Sequence, residues 1–298
     1  MGSKRMALKV SRVTFGFWRA KNWGYSTVEL SALVNQCIDL GVTSFDHADI
    51  YGDYECEALF GNVLKQDPSL RNKIEIVTKC GIKLLSSKFP ERKIKYYDTS
   101  KHHIISSVER SLQNLNTDYL DLLLIHRPDP FMNADEVASA FEDLKNSGKV
   151  LEFGVSNFLP HQLSLLQSRL SFPLAANQIE VSVLNHEHFD NGNVDFLQER
   201  KITPMVWSPL AGGKLFYDNS ERTNNLRNLL NELAGKYNTA GIDTLATAWL
   251  FAHPAGFVVV TGSGKIERIK LALSSMEIEL DREDWFKIWV TARGTDVA

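Results

Sequence analysis

The chain has 298 residues, 44% hydrophobic and 23% charged, which are ordinary globular values, and its formal charge of −3 offers no basic field to nucleic acid or to an anionic membrane. Apolar runs such as Leu122-Leu123-Leu124-Ile125 are too short to span a bilayer, and the three scattered cysteines, Cys37, Cys56 and Cys80, make neither a disulfide framework nor a zinc set. The first residues hold no apolar signal region, and Met6 stands where a myristoylation start at Gly2 wants Ser or Thr, so a reducing cytoplasmic compartment is the expectation.

Val13 to Phe17 reads as a first strand, with Trp18, Trp23 and Tyr25 in the loop after it. Ser26 and Glu29 have the spacing of a capping box, and Leu30, Leu33, Val34, Cys37 and Ile38 recur at helical spacing until Gly41. Val42 to Asp46 is a second strand and Ile74 to Lys79 a third, with a helix over Glu55 to Leu64 between them. A long loop with Pro90 and the basic run Arg92-Lys93-Ile94-Lys95 follows, read as an exposed loop. Ser100 to Leu115 is helical. Tyr119 to Ile125 is an almost continuous apolar strand, which suits a parallel sheet buried on both faces. Strands over Val150 to Val155, Leu174 to Val181, Ile202 to Trp207 and Phe257 to Val260 alternate with helices ending at Gly148, opening at Pro160, and covering Asp195 to Arg200, Asn225 to Asn238, Asp243 to Ala252 and Ile266 to Leu273.

Eight strands, most followed by a helix, argue for βαβ units closed into a (β/α)8 TIM barrel. No linker divides the chain, so residues 1–298 are expected to form one domain. The tail from Asp281, with Trp285, Phe286, Ile288 and Trp289, is expected to be an extra C-terminal helix packed on the barrel.

Chemistry in such a barrel collects at the C-terminal ends of the strands. Those ends carry Asp46 with Tyr51 five residues on, then Lys79, His126, Ser156-Asn157, Asn177-Gln178, Ser208 and Gly262-Ser263-Gly264-Lys265. A lone lysine or histidine there would be an ordinary surface or structural group. Several polar groups at matching positions point to one site, because the mouth of a barrel brings them together.

The residues Phe45-Asp46-His47-Ala48-Asp49-Ile50-Tyr51-Gly52, Ile76-Val77-Thr78-Lys79, Asp118 to His126, Gly154-Val155-Ser156-Asn157-Phe158, Asn177-Gln178 and Trp207-Ser208-Pro209-Leu210 resemble the aldo-keto reductase superfamily, in order over almost the whole chain. The ending Asp284-Trp285-Phe286-Lys287-Ile288 looks like its bacterial oxidoreductase branch. The resemblance implies a nicotinamide cofactor, NADP(H), bound without a Rossmann domain, and a small carbonyl substrate reduced to an alcohol. It implies a catalytic tetrad of Asp46, Tyr51, Lys79 and His126. It implies that Ser156, Asn157 and Gln178 hold the nicotinamide carboxamide, that Ser208, Leu210 and Lys214 lie over the pyrophosphate, and that Gly262, Ser263, Lys265 and Arg268 meet the 2′-phosphate. Many relatives grip the adenine with Asn and Gln or Glu one turn later, where this chain has Leu271 and Ala272. In chemical terms Tyr51 would give the proton, Lys79 would lower its pKa, Asp46 would hold Lys79 and His126 would orient the carbonyl.

Trp18, Trp23, Tyr54 and Phe131, all after strands, are candidates for the walls of a substrate pocket. His186-x-His188 with Glu187 and Asp190 is weighed as a metal motif and set aside as a solvated loop. His102 and His103 are taken as surface residues, and Cys80 as a structural thiol turned away from the Lys79 side by strand alternation. Two other functions stand beside the reductase: a cofactor-binding regulatory subunit with little turnover, and, more weakly, a metal-dependent barrel hydrolase.

Overall fold

The computed structural model describes residues 9–298, and the N-terminal reading of Gly2 and Met6 lies outside them. The described strands are β1 (Val13–Gly16), β2 (Ser44–Asp46), β3 (Glu75–Cys80), β4 (Ile82–Lys83), β5 (Tyr96–Tyr97), β6 (Leu120–Ile125), β7 (Val150–Ser156), β8 (Ala176–Glu180), β9 (Thr203–Trp207) and β10 (Val258–Thr261). All but β4 and β5 close into a barrel in the order β1-β10-β9-β8-β7-β6-β3-β2, with every neighbouring pair parallel. The eight strands read from the sequence are these eight, with ends shifted by a residue or two. The short antiparallel pair β4 and β5 lies inside the segment read as one exposed loop. Arg92 of that segment is not free in solvent either: its guanidinium stacks on Phe89, 3.7 Å from the ring centroid, and donates to the Tyr54 hydroxyl at 2.8 Å.

Alternation along the strands builds two apolar layers. Phe15, Phe45, Ile76, Cys80, Leu123, Ile125, Phe153, Val155, Ile179, Val206 and Val259 point outward and meet the helices in the main core. Val77, Leu122, Leu124, Ala176, Met205, Val258 and Val260 point inward and fill the barrel. Each fully buried large side chain contributes roughly 1.5–3 kcal/mol of burial. Gly154 shows how tightly the inner layer is drawn, because a Cβ there would lie 2.4 Å from the Ala176 carbonyl oxygen and 2.7 Å from Leu124 Cδ2.

The helix Thr27–Asp39 starts with the expected box: Ser26 Oγ accepts from Glu29 N at 3.3 Å, and Glu29 Oε2 accepts from Ser26 N at 2.8 Å. The tail helix Arg282–Arg293 packs on helices Glu221–Lys236 and Ile242–Phe251. There Trp285 stacks on Trp249 with centroids 4.8 Å apart, and each indole N–H donates to the other residue's carbonyl, at 3.0 and 3.1 Å. No helix among the described residues is long and apolar enough to cross a membrane.

Two expectations about histidines fail. His186 and His188 are buried instead of solvated, because His186 stacks 4.5 Å from Trp289 and His188 Nδ1 meets Asn193 Nδ2 at 2.9 Å. His103 is buried as well, against Ser107 one turn along its helix, while His102 is exposed.

Candidate active site

The site is the next rung above the apolar filling of the barrel. With a period of two, the residue two places after an inward one also faces inward. Lys79 follows Val77, His126 follows Leu124, Ser156 follows Gly154, Gln178 follows Ala176 and Trp207 follows Met205. Asp46 joins them from β2, whose register sets it beside Val77. Polar groups thus replace aliphatic ones where the strands end. Cys80, one residue out of phase, is buried in the outer core as the alternation argument required.

Lys79 is the hub. Its Nζ donates to Asp46 Oδ1 at 2.8 Å and Oδ2 at 2.7 Å, to the His47 carbonyl at 2.7 Å and to the Tyr51 hydroxyl at 3.3 Å. Lys79 is 1% exposed and Asp46 2%. A buried charge pair is costly unless the remaining lone pairs are satisfied. Gln178 Nε2 meets that need by donating to Asp46 Oδ1 at 2.7 Å. The Tyr51 loop is turned into place by three successive left-handed residues, Gly52, Asp53 and Tyr54, at φ of 60°, 58° and 66°. At Gly52 a Cβ would come within 2.5 Å of Cys56 Sγ. His126 meets the Tyr51 ring edge-on, with centroids 5.8 Å apart.

Burial, and then the Asp46 carboxylate, push the Tyr51 phenol well above its ordinary range, while the Arg127 guanidinium pulls it down. The expected lowering by Lys79 is therefore not met. Burial is the largest cause, and Lys79 lies closer to both Asp46 oxygens, at 2.8 and 2.7 Å, than to the phenol, at 3.3 Å. Burial lowers the Lys79 ammonium, with Asp46 opposing. Burial, then Lys79, Arg127 and Lys95, hold His126 well below its ordinary value, so its ring is neutral at neutral pH. His47 lies between Phe17 and Phe60, 4.5 and 4.8 Å away, with neither ring nitrogen hydrogen-bonded, and burial followed by Lys79 lowers it to about 3.

A cavity of ≈ 1100 Å³ opens over this rung. Asp46, Tyr51, His126, Ser156 and Gln178 line it, as do Ser208, Leu210, Gly262, Ser263, Lys265 and Arg268. Trp18 and Trp23 line it too. Other expected contributors stand elsewhere. Asn157 lies behind Ser156, donating to its Oγ at 2.8 Å and accepting from Trp207 Nε1 at 3.1 Å. Lys214 is exposed at the start of helix Lys214–Tyr217, outside the lining. Tyr54 is not a wall, because the left-handed turn sends its hydroxyl to Leu84 N, at 3.1 Å, and to Arg92. Phe131 is 95% exposed, since Asp129 accepts from its N–H at 2.8 Å and turns the loop outward.

Sequence reasoning passed over several cavity residues: Lys95, Tyr97, Arg127, Trp207 and Asp243. Arg127 had a usable signal, its place directly after His126 at a strand end. Its guanidinium lies 5.2 Å from the Trp207 ring centroid and acts on the Tyr51 phenol. Asp243 had none, as the second residue of the helix Ile242–Phe251.

Known proteins resemble this chain over most of its length. The model of the Aldo/keto reductase family matches residues 12–289. The chain is 50% identical to the oxidoreductase YcsN of Bacillus subtilis, over 97% of both chains. It is 44% identical to a 6-dehydroglucose reductase of Agrobacterium fabrum, over 98% of this chain and 97% of that one. Among solved structures, the thermostable aldo-keto reductase Tm1743, determined with the inhibitor epalrestat, matches with a TM-score of 0.80 at 25% identity, covering 96% of this chain and 97% of that one.

Proposed function

The chain belongs to the aldo/keto reductase family, and from that premise we propose that it is an NADPH-dependent reductase that converts an aldehyde or ketone to an alcohol, with Tyr51 as proton donor and the whole chain as one barrel domain. The observation that carries this reading is Lys79, which touches Asp46 and Tyr51 at once on the floor of the cavity that His126 also lines.

The cavity fits a nicotinamide dinucleotide by its size and donor set. Ser156 and Gln178 on the floor offer groups suited to a carboxamide. Ser208 to Gly213 curls through positive φ at Ser208, Ala211, Gly212 and Gly213, an open backbone loop that leaves room for a diphosphate. Lys265 and Arg268 bring positive charge to the wall near Gly262. When bound, the nicotinamide supplies the hydride that adds to the carbonyl carbon.

The protein's part is proton supply and charge stabilisation. Negative charge grows on the carbonyl oxygen, and the Tyr51 O–H gives it a proton, leaving alcohol and phenolate. The raised phenol pKa keeps Tyr51 protonated at neutral pH, so the acid is loaded before each turnover. The phenolate that remains faces the Lys79 ammonium and the Arg127 guanidinium, and water returns its proton. Neutral His126 orients the carbonyl oxygen by donating one hydrogen bond. Asp46 fixes Lys79, and Gln178 fixes Asp46. Arg127 and Lys95 make the substrate end of the cavity polar and cationic, which suits a hydroxylated aldehyde of the kind in the Agrobacterium relative's name.

The test is NADPH oxidation with a panel of aldehydes and ketones, repeated with Tyr51→Phe. General acid catalysis contributes about 10²–10⁴ in rate, so the variant should lose at least that much turnover while still binding cofactor. Retention of most turnover would remove Tyr51 from the role. Cofactor binding without oxidation by any carbonyl compound would favour a cofactor-binding subunit instead.

A further inference from the structure

Arg268, the cation expected to meet the 2′-phosphate, already has a partner. Its Nη1 pairs with Asp243 Oδ2 across the gap between two helix starts. Both residues line the same cavity as Gly262, Ser263 and Lys265. The two sides of the pair are held differently. The Asp243 side chain is 12% exposed, and its other oxygen accepts from Thr244 N at 3.1 Å, so the carboxylate is fixed to its helix. The Arg268 side chain is 51% exposed, and its guanidinium lies 6.0 Å from the Phe216 ring centroid. Leu271 and Ala272, also in the lining, offer no polar grip on an adenine nearby. The positive charge of this end therefore rests on Lys265 and on an arginine paired with a carboxylate.

We propose that Asp243 is a specificity-determining residue: it holds Arg268 in a pair that a 2′-phosphate must open, and so narrows the preference for NADPH over NADH. The inference rests on the reading that this cavity takes a nicotinamide dinucleotide. A 2′-phosphate approaching Arg268 meets the Asp243 carboxylate as a like charge, whereas the 2′-hydroxyl of NADH carries no charge to repel. The carboxylate thus penalises one cofactor and spares the other. Exposed ion pairs are weak, so the penalty is modest, about twofold to fivefold in affinity.

The experiment is equilibrium titration of the full-length protein with NADPH and NADH by quenching of its tryptophan fluorescence. Titration with adenosine 2′,5′-bisphosphate and with 5′-AMP, by calorimetry, reads the same end without the nicotinamide. Asp243→Asn keeps the oxygen that accepts from Thr244 N and removes the charge, and Asp243→Ser serves as a second variant should the first fold poorly. The expected result is that NADPH and the bisphosphate bind the variants about twofold to fivefold more tightly than the wild type. NADH and 5′-AMP should bind no more tightly. In an Arg268→Ala background the gain should shrink to the part due to direct repulsion of the phosphate by the carboxylate. Unchanged or weaker NADPH binding in both variants would overturn the proposal, because it would make Asp243 neutral or a support that positions Arg268. Equal tightening of all ligands would also overturn it, as a general charge effect. Wild-type protein that binds neither NADPH nor NADH would remove the cofactor reading itself, and this inference with it.

Discussion

The two ends of the cavity are built on opposite principles. At the floor, Asp46, Lys79 and Gln178 are almost fully buried, and every Lys79 proton has an acceptor within 3.3 Å. At the other end, Lys265, which precedes helix Ile266–Ser274 as its N-cap, and Arg268, on the first turn of that helix, are exposed side chains. Low dielectric makes charge interactions at the floor strong and errors there expensive, whereas solvent weakens interactions at the rim. The proposed chemistry sits where geometry is preset, and the proposed choice of cofactor sits where a modest charge balance can be changed.

That contrast is broken first at the floor. Lys79→Met should abolish most turnover and Asp46→Asn should lower it by misplacing the ammonium. Because the two act as one unit, the double variant should be little worse than Lys79→Met alone. Steady-state kinetics of the three variants check this, and losses that multiply across the sites would show independent roles.

Acid sharpens it next. The His47 imidazole is held at about 3 in the fold, while in the unfolded chain it protonates near ~6.5. Between those values the unfolded state binds more protons, so stability is full above the unfolded value and falls as pH drops through the window. At ~1.4 kcal/mol per unit the loss reaches several kcal/mol. His103 and His186, each held at about 4, add to the same slope. Urea unfolding at a series of pH values measures it, and His47→Leu should flatten part of it. Turnover tells a different story. His126 stays neutral well below ~6.5, so activity of the folded enzyme should show no inflection at the ordinary histidine value. An inflection there that disappears in His126→Gln would contradict the buried, neutral ring.

A packing variant gives a smaller effect. Gly154→Ala places a methyl against the Ala176 carbonyl, directly below Ser156. Overpacking of this kind costs about 1–3 kcal/mol. A lowered melting temperature should come with weaker cofactor binding, because the rung above shifts with the strand. An unchanged melting temperature would mean that the inner layer is less tightly drawn than its distances indicate.

The rim should yield the smallest change. Arg268→Ala should weaken NADPH by about tenfold or less, and NADH hardly at all, since the arginine is exposed and already paired. The effect should shrink with added salt. Fluorescence titration with both cofactors decides it, and equal weakening of the two would mean that Arg268 does not meet the 2′-phosphate.

By itself the sequence determined the barrel and the floor of the site, and the reason is locality. Period-two alternation sets which way Val77, Lys79 and Cys80 point whatever surrounds them, and capping chemistry sets where the helix after Ser26 begins. Asp46, Lys79, His126, Ser156 and Gln178 need only parallel register to meet, and a closed parallel barrel supplies it. What the tertiary structure alone decided lies in loops and between helix ends. Tyr54 and Phe131 leave the cavity because a left-handed turn and an Asp129 cap aim their loops elsewhere. His186 and His188 are buried because the tail helix and Asn193 come to cover them. The Tyr51 phenol is raised instead of lowered because the fold buries it and sets the Asp46 carboxylate nearby. Asp243 and Arg268, 25 positions apart, face each other only because two helices start side by side, and no periodicity in the chain records that distance.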